Sequence, residues 1–122
     1  MKIAIPVDER DIKTNVCISF GRSPYFLIYN TKTSDCTFID NSAIASSGGA
    51  GIKASQTLVD HEVDVLITPR CGENAAEVLK IAKIEIYQSL GVLAMDNITA
   101  YLEGRLSLLH EIHAGFHNHG GR

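Results

Sequence analysis

Five short apolar runs constrain this 122-residue chain more than any other feature, because of what separates them. Three of them, at residues 2–7, 25–29 and 36–40, follow one another with only polar or turn-forming residues between. The other two, at 63–68 and 84–87, are each reached through a stretch with helical periodicity. A two-residue period marks a strand, and apolar residues at i, i+3, i+4 and i+7 mark one face of a helix. Successive strands followed by strand–helix alternation predict an α/β domain with a mixed sheet. An N-terminal antiparallel hairpin joins later parallel strands, and helices cover both faces. The first run is expected at the centre of that sheet, and residues 30–34 form the hairpin turn.

The helices follow from the stripes. Ala54 with Leu58, and Ile52 with Val59, predict a first helix over residues 50–61, after a loop of small residues at 41–51. Ala75, Val78, Leu79 and Ala82 predict a second, starting near Glu73, with Glu77 and Lys80 on its polar sides. A third spans 98–103, capped by Asp96 or Asn97 and ended by Gly104. The domain is expected to occupy residues 1–106, leaving 107–122 as a His-rich tail, with the whole stretch from Arg105 largely exposed.

Charge and cysteine usage exclude several function classes. With 14 acidic against 11 basic residues, the net charge of −3 gives no footprint for nucleic acid. No apolar run approaches the ~20 residues that span a bilayer. The opening run, ending at Pro6-Val7 before Asp8, Glu9 and Arg10, is too short for a secretory signal. Cys17, Cys36 and Cys71 are odd in number and widely spaced, which fits reduced thiols in a cytoplasm better than a disulfide framework. A monomer or weak homodimer is expected.

Ser46-Ser47-Gly48-Gly49-Ala50-Gly51-Ile52-Lys53 is the first candidate site. Glycines ahead of a helix expose backbone N–H groups to an anion. Ile52 between Gly51 and Lys53 breaks the P-loop pattern, and no strand ends immediately before the glycines as a dinucleotide fingerprint requires. The loop therefore either cradles an anionic ligand or simply caps the helix. Cys71 follows a buried strand, sits beside Arg70 and precedes a helix with Gly72, a setting that either favours a thiolate and a ligand role or holds a semi-buried cysteine with no chemistry. Cys36 reads as packing within a strand, and the direction of Cys17 cannot be read. His110, His113, His117 and His119 are metal-ligand candidates by density. Asp8, Asp40 and Asp96 are the only carboxylates for metal-assisted hydrolysis, and all three lie where Asp usually turns or caps the chain. His61, at a helix end, has no nucleophile beside it.

The chain resembles the dinitrogenase iron-molybdenum cofactor biosynthesis family over nearly its whole length. The resemblance rests on Lys2-Ile3-Ala4-Ile5-Pro6-Val7, Phe20-Gly21-Arg22-Ser23-Pro24-Tyr25-Phe26, Gly48-Gly49-Ala50-Gly51-Ile52-Lys53-Ala54, and residues 63–68 ahead of Gly72-Glu73-Asn74-Ala75. It implies a three-layer α/β/α fold of ribonuclease H-like type with a five-stranded mixed sheet. It also implies a carrier or chaperone, not an enzyme, for an iron-molybdenum or iron-sulfur cluster or its precursor, with a cluster-assembly or client metalloprotein as partner. Arg22 and Cys71 match the family's loops in position. Ser19 stands where many members carry His, which removes one expected ligand, and Cys17 is two residues away. The residues themselves also leave room for a metal-dependent hydrolase or nuclease using Asp8 and Asp40, and for a small-anion sensor using the glycine loop.

Overall fold

The chain forms β1 (Lys2–Val7), β2 (Tyr25–Asn30), β3 (Asp35–Asp40), α1 (Ser42–Ala45), α2 (Ala50–Asp60), β4 (Val65–Thr68), α3 (Glu73–Ile81), β5 (Glu85–Gln88) and α4 (Ala94–Leu102). The structure, a computed structural model, describes residues 1–110. β1 directs Ile3, Ile5 and Val7 to one side of the sheet and Ala4 to the other, all fully buried. A strand buried on both faces belongs in the interior of a sheet. The observed order, β3-β2-β1-β4-β5, puts β1 third of five, as expected. β1 pairs antiparallel with β2 and parallel with β4, β2 pairs antiparallel with β3, and β4 pairs parallel with β5. This is the three-layer arrangement with an N-terminal antiparallel hairpin that the resemblance implies.

Two apolar clusters fill the layers. On one face Ala54 and Leu58 of α2 and Ala75, Ala76 and Leu79 of α3 pack on Ala4, Phe26, Ile28, Leu66 and Ile86. On the other, Ala94 and Ile98 of α4 cover Ile3, Ile5, Leu27, Val65 and Ile67. Truncating a buried Leu such as Leu58 or Leu79 to Ala would typically remove about 2–5 kcal/mol. Ile52 is not part of the stripe that sequence periodicity gave it: it is 46% exposed, and Ala50, Ala54, Ser55 and Leu58 form the buried face.

Three local expectations change. Residues 42–45 form a short helix where a loop was expected; the carboxylate of Asp40 accepts hydrogen bonds from the Ser42 backbone N–H (2.9 Å) and hydroxyl (2.6 Å) and starts it. α4 begins at Ala94, not Ile98, because the Thr14 carbonyl accepts the Ala94 N–H and stands in for a side-chain cap. Asp96 is thus exposed in the first turn, while Asn97 is fully buried. Lastly, Arg105 to His110 are mostly exposed, yet the Gln88 N–H donates to Ser107 O and the Leu109 N–H to Ile86 O, so 107–109 run beside the edge of β5.

Asn97 ties β5 to α4. Its amide accepts from the Leu90 N–H (2.7 Å) and donates to Leu90 O (2.8 Å) and Leu93 O (2.9 Å). Asn97→Ala leaves those backbone groups unpaired in the interior and is expected to lower stability by about 1–3 kcal/mol, whereas Asp96→Ala changes it by about 0.5 kcal/mol or less. Urea denaturation of the two variants checks this; equal losses would mean that Asp96 caps the helix after all.

Candidate functional site

Strand direction gathers the loops of interest at one edge. β1, β4 and β5 run parallel, and β3, antiparallel to β2, runs with them. α3 and α4 each follow one of these strands and start at its carboxyl end, while α2 precedes β4 and must end at that strand's amino end. All three helices of eight residues or more therefore begin at the carboxyl edge. Ligands of open α/β sheets bind there, where neighbouring connections part in opposite directions, as they do on either side of β1 and β4.

α2 and α3 lie unusually close at this edge. Gly51 faces the Ala75 methyl, where an added Cβ would sit 3.5 Å away, and the Ser55 hydroxyl donates to both Gly51 O (2.9 Å) and Ala75 O (3.2 Å). Neither helix has a side-chain cap: Gly49, in the left-handed region at φ 68°, precedes α2, and Gly72 precedes α3. Two positive helix ends and their first-turn N–H groups thus stand side by side. A Cβ at Gly48, Gly49 or Gly72 would meet no atom within 4 Å, so this surface is open.

The Phe20-Gly21-Arg22 loop fixes the start of α2. A Cβ on Gly21 would fall 2.7 Å from Gly51 N and 2.8 Å from its Cα, so only glycine permits this approach of backbone to backbone. Buried Asn41 holds the loop from inside, donating to Gly21 O (3.1 Å) and Ser23 O (2.9 Å). Its Oδ1 is left without a partner. From outside, Arg22 Nη1 donates to Ala45 O (2.9 Å), which keeps the exposed guanidinium over the segment leading to the glycines. The Lys53 ammonium reaches Ser47 Oγ at 3.3 Å in the same loop.

The thiols behave differently from what sequence position suggested. Cys71 is 1% exposed and packs with Phe20 and Ala75; burial pushes its thiol up to about 11, against a small opposing pull from Lys80. Removal from water outweighs the neighbouring Arg70 and helix end that were expected to favour a thiolate. Cys17 is half-buried at the end of β1, where its N–H donates to Pro6 O (2.8 Å). Burial and the adjacent Asp8 carboxylate raise its thiol, and the Ser19 N–H pulls the other way. Nothing in the sequence announces this position, because loop 8–24 has no period from which a direction can be read.

Cys71 and His110 are not brought together. Residues 107–109 run antiparallel to β5, so His110 lies at the amino edge, in a groove of about 690 Å³ with Asp64, Lys80, Lys83 and Glu85. His113, His117 and His119 lie outside the described residues. Asp40 is engaged with Ser42, whose hydrogen bonds hold its carboxyl below the usual range, and Asp8 faces Cys17. Among the described residues no three His, Cys, Asp or Glu side chains converge to hold a metal ion. No described helix is long and apolar enough to cross a membrane.

Large apolar side chains also crowd this edge. Ile12 and Ile18 (69% exposed) project from loop 8–20, Leu90, Val92 and Leu93 from the β5–α4 connection, and Ile52 from α2. The Val16 N–H donates to Val92 O at 2.7 Å and Asn15 bridges to Leu93, so backbone pairing joins the loop after β1 to the β5–α4 connection.

Comparison with known proteins agrees with this architecture. A family profile described as dinitrogenase iron-molybdenum cofactor matches residues 1–104. The apo orange protein of Desulfovibrio gigas is similar at 28% identity over 89% of this chain and 92% of its own, with a TM-score of 0.85. A NifB candidate from Thermotoga is similar at 35% identity over 93% and 97%, with a TM-score of 0.81. A dinitrogenase candidate from Methanocaldococcus jannaschii is similar at 26% identity over 90% and 95%, with a TM-score of 0.69. No curated protein sequence matches the chain.

The burial of Cys71 has a measurable consequence. A thiol raised in the folded state contributes stability fully below its unfolded pKa, and that contribution is lost as pH rises from there through about 11. Wild-type stability should thus fall more steeply between about pH 9 and 11 than that of Cys71→Ala. Urea denaturation across this range checks it; parallel curves would mean that Cys71 titrates normally.

Proposed function

The chain belongs to the dinitrogenase iron-molybdenum cofactor family, and from that premise we propose that it carries a polyanionic iron-molybdenum or iron-sulfur type cluster, or its precursor, without catalysing a reaction on it. The observation that carries the reading is the meeting of two uncapped helix N-termini at the open carboxyl edge. Backbone amides around Gly48, Gly49, Gly51 and Gly72 form the cradle, and Arg22 adds a fixed positive charge. Such donors hold negative charge without forming metal–protein bonds, so the cargo stays exchangeable, as a carrier needs.

Side-chain ligation is secondary in this reading. Cys71 joins only by giving up a proton from beneath Gly72, and His110 opens onto the opposite edge. The apolar loops around Ile18, Val92 and Ile52 form a collar on which a cluster-assembly or client metalloprotein docks during transfer. Both the carrier and its partner work in the cytoplasm, where thiols stay reduced.

Gly72→Asp tests the cradle. Its Cβ meets open space, and Asp at an N-cap satisfies the first amides of α3, so the fold should be unharmed or stabilised by about a few tenths of a kcal/mol. The same carboxylate repels an anion and occupies its donors. Protein is purified anaerobically, offered iron and sulfide with and without molybdate, and analysed for bound metal and visible absorption. The expected result is colour retained by the wild type and retention weakened about tenfold or more in Gly72→Asp, the equivalent of ~1.4 kcal/mol. Equal retention by both would remove the cargo from this edge, and a wild type that binds oxyanions but no cluster would favour a small-anion sensor.

A further inference from the structure

We propose that Cys36 and Met95 form a second site, for a soft monovalent metal ion such as copper(I) or silver(I), on the α4 side of the sheet. Cys36 is the second residue of β3 and Met95 lies in the first turn of α4. Their 59-residue separation is closed by the fold, and the thiol donates to the Met95 Sδ at 3.9 Å. Both side chains are half-buried, so an ion can reach them from solvent.

The donor set selects the ion. Thiolate with thioether is a soft pair, preferred by copper(I) over oxygen-seeking cations. A trigonal ion with metal–sulfur bonds of about 2.3 Å holds its sulfurs about 4.0 Å apart, close to the separation already present. Zinc prefers a fourfold shell of thiolate, imidazole and carboxylate donors, which one thiolate and one thioether do not supply, and among the described residues no three His, Cys, Asp or Glu converge. A third position stays open to a solvent-borne thiol. Tyr25, Tyr29 and Phe38 belong to the same apolar cluster, with Tyr29 directly across from Cys36, and they limit access by water.

Charge also distinguishes this site from the carboxyl edge. Burial raises the Cys36 thiol and the Asp35 carboxylate adds to it, so the free side chain is a neutral S–H. The same carboxylate favours a bound cation. On binding, one metal–thiolate and one metal–thioether bond form, the Cys36 proton passes to solvent, and no atom changes oxidation state.

The chain has only two methionines, which makes the site directly observable. The full chain is labelled with 13C at the methionine methyls and titrated anaerobically with silver(I), a redox-inert probe. The Met95 methyl signal is expected to shift and saturate at one equivalent in the wild type and in Cys17→Ser. In Cys36→Ser its saturation should require about tenfold or more silver. Met95→Leu, which conserves core volume, should lose one equivalent of tightly bound silver while remaining folded. An unmoved Met95 signal with silver bound elsewhere, or a Cys36→Ser response equal to wild type, would overturn the site.

Discussion

β1 hydrogen-bonds in opposite senses on its two sides, antiparallel to β2 and parallel to β4, and the carboxyl edge owes its composition to that switch. Because β4 and β5 follow the direction of β1, the connections that reach them must start their helices at one end of the sheet. The chain can satisfy this only if β1 is buried on both faces, and Ile3, Ile5 and Val7 against one helix layer with Ala4 against the other meet the requirement. Ala4 is the small member: it faces the layer into which Leu58, Leu79 and Phe26 project.

A second constraint brings the two helix ends together. Gly21 against Ala50 and Gly51, and Gly51 against Ala75, remove side chains where backbones must approach. With glycine at both N-cap positions, neither α2 nor α3 has a side chain over its first-turn amides, and the surface in front of Gly49 and Gly72 is open. An edge of this kind suits an anion that arrives and leaves. A buried neutral thiol such as Cys71 suits the apolar core beneath it, since its proton must be removed before any metal is bound. The polar cradle and the soft sulfur pair at Cys36 and Met95 have opposite charge preferences and lie in different layers.

Much of this was legible before the structure. β1, the hairpin and the order of strands and helices follow from periodicity, because side-chain alternation is a local property that burial merely uses. The start of α4 was not legible: its cap is the backbone carbonyl of Thr14, which has no sequence signature, and the best capping residue in the segment, Asn97, is buried to hold Leu90 and Leu93 instead. Ile52 satisfies a helical stripe yet is 46% exposed, since six residues of helix place it roughly 120° around the axis from buried Leu58. For the candidate site, the glycines were proposed from motif chemistry and Arg22 from the family resemblance, and the structure brings them to one edge. The two readings of Cys71 could not be separated beforehand, because charge neighbours are visible in sequence and desolvation is not. Cys17 and the contact of Cys36 with Met95 depend on loop 8–24 and on the packing of α4, neither of which a single sequence encodes locally.

The central claim is that backbone amides at the carboxyl edge, not side-chain ligands, hold the cargo. It is tested most directly by recording amide 1H–15N spectra of the full chain while a diamagnetic thiomolybdate anion is added anaerobically. The account predicts that the largest shifts fall on Gly49, Ala50, Gly51, Glu73 and Asn74, with His110 and its groove unaffected. Shifts concentrated around His110, Lys80 and Lys83 at the opposite edge would contradict it.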